Sequence, residues 1–387
     1  MPKSGKTKSR AAQEPPARTA PPDDSPTDLP QACGMPMTSP PTLPADLPAD
    51  RLAAIVEGLS KWVNGTVLHY YFFDRDTDGS RIRFADGSTR FVSWVGSPTQ
   101  QNAVRAAFQT WQDLGIGLTF SEVTDRREAE IRIGFLFDYD GSWSALGRDV
   151  LQYGPNARTM NFGWDLTTPH GGATALHEIG HTLGMPHEHQ NPFAGIVWNE
   201  PNVYEYFTGP PNNWDREKTF HNVLRKLSSA TVSGSNWDPT SIMEYGFPRG
   251  LIVKPVQYEA GLASPVQLSP LDAQFVLEWY PPLGHRLQVL RPLESAPLTL
   301  RSGEQADFSL EPAGTRTYSL GAFGASDAVL VLFEQVDGEL RYVTGDDNSG
   351  KDRNPMIEAK LFQGRSYVLR MRLNYAKDST QTSVMYW

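Results

Sequence analysis

The chain of 387 residues has one cysteine, Cys33, so no intrachain disulfide can form and a disulfide-stapled framework is excluded. Long apolar runs are missing too. The longest are five or six residues, as in Val329-Leu330-Val331-Leu332-Phe333, far short of the roughly 20 that span a bilayer. There is no excess of positive charge: Lys and Arg number 35 against 44 Asp and Glu, a net charge of −9, which gives no basis for a general nucleic-acid-binding surface. The opening MPKSGKTKSR has no apolar segment behind it, so a Sec signal peptide is not recognisable. Residues 1–50 have few large apolar side chains and hold 12 of the 31 prolines. Such a composition cannot bury enough surface to offset chain entropy, and a disordered tail is expected.

What the chain does have is aromatic mass, with 10 Trp, 14 Tyr and 18 Phe, enough for a substantial core. Leu52, Ile55, Val56 and Leu59 suggest a short helical approach to Trp62. Thr66–Phe73 reads as a strand. Ser97-Pro98 opens a helix on which Val104, Phe108 and Trp111 recur, and Gly115 closes it. Strand-like stretches follow at 118–123, 129–135 and 159–162, then a helix near 169–183. After a long irregular stretch, Ser269-Pro270 caps a last helix. This order predicts an α+β unit over 51–282. Beyond Pro281-Pro282 the pattern is all-β: Tyr367, Leu369, Met371, Leu373 and Tyr375 alternate, and Asp337-Gly338 has the chemistry of a hairpin turn. A linker near 281–288 and a β-sandwich over 288–387 are expected.

The chemistry concentrates in HEIGHTLGMPH, residues 177–187. On a helix, His177 and His181 share one face, so two imidazoles converge on one ion. Gly184 accepts the left-handed conformation that ends a helix and lets the chain return His187 to the same point. Three histidines leave a fourth position open, the catalytic arrangement for zinc rather than the structural one. Glu178 stands beside that position as general base for a water attacking a carbonyl, then as donor to the departing amine. The alternative is a solvated helix that happens to be rich in histidine, but with five specified positions a chance match is roughly 10⁻⁴ or less, and five of the eight histidines fall between 170 and 189, in agreement with a metal site.

HEIGHTLGMPH resembles the zinc motif of the metzincin peptidases. HEHQNP (187–192) and GSWSALGR (141–148) resemble the astacin branch, with Ser142 where a disulfide cysteine is usual. SIMEYG (241–246) is similar to the Met-turn of that clan. The resemblance implies a metzincin-type domain with a twisted mixed sheet, Met243 as the floor of the zinc site and Tyr245 as oxyanion donor. It also implies endopeptidase action on proteins or peptides paired along an edge strand near Ser144–Arg148. Glu244 replaces the astacin histidine. The C-terminal region resembles the bacterial pre-peptidase C-terminal domain.

Cys33-Gly34-Met35-Pro36 resembles the cysteine switch of matrix metalloprotease propeptides, which makes Cys33 a candidate fourth ligand in a latent state. Asp74, Asp76 and Asp78 match half of a calcium loop, but its twelfth position is Ala85, and a solvated hairpin turn is the better reading. Asp346 and Asp347 are further calcium candidates. Family resemblance points to a monomer working outside the cell, with the cytoplasm left open by the missing signal. A different class, an adhesion protein keeping zinc as a structural clip, is disfavoured by the presence of Glu178.

Overall fold

The computed structural model describes residues 32–38, 60–84, 86–227, 236–283, 287–301, 304–336, 339–350, 354–375 and 381–387. The expected helical approach at 52–59, Ala85, the Asp337-Gly338 turn and His285 lie outside them.

The first part of the chain contains β1 (Val67–Phe72), β2 (Gly79–Arg83), β3 (Thr89–Ser93), β4 (Thr119–Glu122), β5 (Ile131–Gly134), β6 (Trp143–Ser144) and β7 (Met160–Asn161). Its helices are α1 (Pro98–Gln112), α2 (Pro169–Thr182), α3 (Glu200–Thr208), α4 (Arg216–Thr219) and α5 (Pro270–Trp279). One mixed sheet runs β4-β1-β5-β7-β6. The first four strands are parallel, and β6 closes the edge antiparallel to β7. β2 and β3 form a separate hairpin.

The cap of α1 is local chemistry: the Ser97 hydroxyl accepts the Gln100 amide, and Pro98 occupies the first turn. The helix buries Val104, Phe108 and Trp111 against Leu68, Tyr70 and Phe72 of β1 and Ile131 and Ile133 of β5. The Trp111 indole donates 3.1 Å to the Leu176 carbonyl, tying α1 to α2. α2 therefore lies in the core, with Ala175 and Ile179 fully enclosed.

The second part folds into two sheets. One orders Gln288–Val289, Gln305–Leu310, Ser366–Tyr375, Asp327–Val336 and Glu339–Asp346; the other orders Ala296–Thr299, Gln381–Tyr386, Arg316–Gly324 and Met356–Leu361. Tyr367, Leu369, Met371 and Leu373 point into the space between the sheets, as their alternation requires. The whole chain is thus α+β, a mixed-sheet unit followed by a β-rich one.

Two expectations need correction. Residues 32–38 lie folded against the mixed-sheet unit, with Cys33 and Met35 buried. Composition averages over a segment, and it cannot register contacts supplied by distant chain. The stretch after the zinc motif is not wholly irregular either, since α3 and α4 form there. α4 is only four residues, and its Asp215 cap accepts the Lys218 amide at 2.7 Å.

Candidate metal centre

α2 begins with the Thr168 hydroxyl accepting the Gly171 amide and carries His177, Glu178 and His181 into the core. Gly184, at φ +94°, ends the helix in the left-handed region and turns the chain. His187 comes back so that its Nε2 lies 3.0 Å from Nε2 of His181. Gly180, between the two helical histidines, has a separate reason: a Cβ there would stand 2.4 Å from the Met243 sulfur. Met243 packs directly beneath the motif.

The outer ring nitrogens of both helical histidines are engaged. His177 Nδ1 sits 2.7 Å from the Ile242 carbonyl, and His181 Nδ1 sits 2.7 Å from the Met185 carbonyl. Each Nδ1 therefore donates, which leaves Nε2 as a bare lone pair aimed inward. His177 Nε2 is buried with no hydrogen-bond partner. Burial holds His177 down to about 4 and pushes His181 and His187 well below the usual histidine range. Neutral imidazoles are what a divalent cation requires.

Cys33 completes the group. One ligand atom each from Cys33, His177, His181 and His187 lies within 4.8 Å of the others, and all four residues are buried. The Cys33 thiol lies 3.4 Å from Glu178 Oε2, to which it donates, and 3.4 Å from His181 Nε2. An orphaned Nε2 with thiol and imidazole donors around one point fits zinc. Burial, and then Glu178, push the Cys33 thiol up, while Lys218 acts in the opposite direction. Burial pushes Glu178 up to about 8. A cation at this point would pull both down.

Tyr245 lies beside the same group. Its hydroxyl donates to the Cys33 carbonyl and lies 2.9 Å from His187 Nε2. The tail runs beside the sheet edge: the Gly34 amide donates 3.0 Å to the Ser142 carbonyl, next to β6. Asn212 accepts the Ala32 amide at 3.1 Å, and Thr38 donates 2.8 Å to Asp149. A cleft opens beside Glu178, bounded by Trp164, His170, Thr174, Ile242 and Pro265.

Sequence reading missed a supporting layer. Asp272, in the capping box of α5, accepts the Ser241 hydroxyl at 2.6 Å and the Ile242 amide at 2.8 Å, and so holds the turn that orients His177. The box signature, Ser269 with Asp272, was visible; its reach to Ser241 was not. Three of the calcium candidates are engaged by protein. Asp78 forks with Arg126, the Tyr71 hydroxyl donates to Asp74, and Asp346 accepts the Ser349 and Met356 amides.

The family model described as matrixin matches residues 88–193. A solved structure of myroilysin is 30% identical, over 58% of this chain and 96% of its own, with a TM-score of 0.47. High choriolytic enzyme 1, a hatching-enzyme zinc-protease of Oryzias latipes, is 14% identical over 57% of this chain and 94% of its own, with a TM-score of 0.35. The pre-peptidase C-terminal domain of a collagenase from Bacillus anthracis is 11% identical over 27% of this chain and 98% of its own, with a TM-score of 0.22. No curated protein sequence matches the chain.

Proposed function

Starting from a chain that belongs to the metzincin zinc metalloendopeptidases, we propose that His177, His181 and His187 hold the metal, that Glu178 is the general base, and that Cys33 keeps the enzyme latent. The observation that carries this reading is the convergence of the imidazoles around an orphaned His177 Nε2, with Glu178 at the same point. Zinc, when bound, polarises a carbonyl and makes water a competent nucleophile near neutral pH.

The chain's own residues do the rest. Glu178 takes a proton from the attacking water and delivers it to the amine nitrogen as the C–N bond breaks. Tyr245 turns its hydroxyl, now given to the Cys33 carbonyl, to the oxygen on which negative charge develops. The carbonyl of Ser142 beside β6 accepts a substrate amide as it accepts that of Gly34. The cleft beside Glu178 receives a side chain next to the scissile bond. The tail thus engages the base, the oxyanion donor and the substrate edge together. We assign residues 1–50 to this latency segment, 51–282 to the peptidase and 288–387 to an accessory sandwich. Substrates are proteins or peptides, met outside the cell as the family resemblance implies.

The test is hydrolysis of a denatured protein by the zinc-loaded chain after removal of its tail. Chelation should stop cleavage, and Glu178→Gln should slow it by about 10²–10⁴-fold with zinc retained. A loaded, trimmed chain that leaves the protein intact would refute the reading.

A further inference from the structure

Two buried residues outside the mechanism above stand directly behind Tyr245. The side chains of His189 and Glu244 are both fully enclosed. His189 Nδ1 lies 3.2 Å from Glu244 Oε1, and its Nε2 lies 2.8 Å from the Asn222 carbonyl. The Nε2 contact with Asn222, together with the Glu244 carboxylate lying alongside Nδ1, fixes the orientation of the ring. It stacks on His187 at 5.3 Å between centroids with 15° between planes, and its centroid is 4.6 Å from that of Tyr245. Glu244 uses both oxygens: Oε2 accepts the Trp237 indole at 2.7 Å, and Oε1 accepts the backbone amide of Tyr245 at 2.9 Å.

Enclosing two polar side chains costs free energy that an aliphatic pair of similar volume would not cost. Packing alone therefore does not explain it. The pair instead fixes three things at once: the main chain at Tyr245, the face of its ring, and the plane of His187.

We propose that His189 and Glu244 are a positioning pair for Tyr245, holding its phenol toward the metal-facing nitrogens. The catalytic meaning of this pair rests on the peptidase reading; its geometric content does not. Loss of either partner releases the ring to sample other orientations, so the hydroxyl spends less time where oxyanion charge develops.

The test uses the full-length chain with ¹³C-labelled tyrosine, the Tyr245 signals being assigned by their loss in Tyr245→Phe. In the parent, the two sides of the Tyr245 ring should give distinct, slowly exchanging signals. His189→Phe keeps a ring in place, Glu244→Gln keeps the shape, and each should speed ring flipping at least tenfold while other tyrosines stay unchanged. On the trimmed, zinc-loaded enzyme each should lower kcat about tenfold with KM within twofold. In a Tyr245→Phe background the further loss should be under twofold, because the effect passes through that hydroxyl. Unchanged Tyr245 signals in both variants, or losses that multiply in the Tyr245→Phe background, overturn the proposal. A parent that cleaves nothing refutes the peptidase reading, while the ring-flip measurement still decides the positioning role.

Discussion

The Cys33 thiol touches Glu178 and His181 together, at 3.4 Å from each. With a divalent cation present the sulfur is a thiolate, a much stronger zinc donor than a hydroxyl. Replacing it with serine removes the strongest contact of the tail and leaves the weaker ones, from Gly34 to Ser142 and from Thr38 to Asp149. A loss of about 1.4 kcal/mol in latch strength raises the open fraction about tenfold. Cys33→Ser should therefore raise basal peptide hydrolysis by the full-length chain at least about tenfold, and trimming should raise it further. Matching rates for Cys33→Ser and the untrimmed parent would count against the latch.

At the level of elements, the site hangs between α2 and the turn at Ser241–Met243, and α5 sets the height of that turn. Asp272 accepts the Ser269 amide to close its capping box and accepts Ser241 and Ile242 at the same carboxylate. The Ile242 carbonyl then orients His177. Asp272→Ala removes one cap and strands two buried donors, which costs about 2–4 kcal/mol. His177 also loses its fixed tautomer, so zinc affinity should fall about 10–100-fold, the usual scale for an outer partner of a ligand. A competition titration with a chelating dye measures this, and unchanged affinity would separate α5 from the site. Much of this level was legible in the sequence. Ser97-Pro98 and Ser269-Pro270 announce α1 and α5 because a cap is written within four residues. Gly184 and the three histidines were legible because a helix and the turn that ends it relate them within eleven residues. β6, at two residues, carries no alternation and was marked only by the family resemblance, whereas β7 falls inside the strand expected at 159–162. His189 with Glu244, and Asp272 with Ser241, are pairs joined by the fold alone, and no local rule brings them together.

Across the whole molecule, the outward face of strand Ser366–Tyr375 explains why the two parts are docked. Its inward residues build the sandwich core, but Val368, Arg370 and Arg372 on the other face meet the segment Trp62–Asn64 of the peptidase part. Arg370 forks onto Asp307 with two bonds of 2.7 Å and donates its remaining nitrogen to the Asn64 carbonyl. Arg372 donates 2.9 Å to the Trp62 carbonyl, and Val63 packs among Val329, Val331, Phe333 and Val368. Trp62 in turn donates from its indole to the Thr182 carbonyl at 2.8 Å, and Tyr280 bridges the Trp62 amide and the Leu183 carbonyl. The sandwich is thereby coupled to the end of the zinc helix through one short segment. Calorimetry of the full chain should show a single transition, since neither part opens without the other losing these contacts. Arg370→Met breaks the coupling and leaves Asp307 without its partner, a loss of about 3–5 kcal/mol. For a sandwich of about 100 residues that is about 15–25 °C, and the sandwich should then melt first and separately. Arg370→Met combined with Asp307→Leu should restore the melting of the sandwich itself but not the single transition, because the link to Asn64 is still missing. If Arg370→Met kept one transition at the parent temperature, the coupling between the two parts would not run through Arg370.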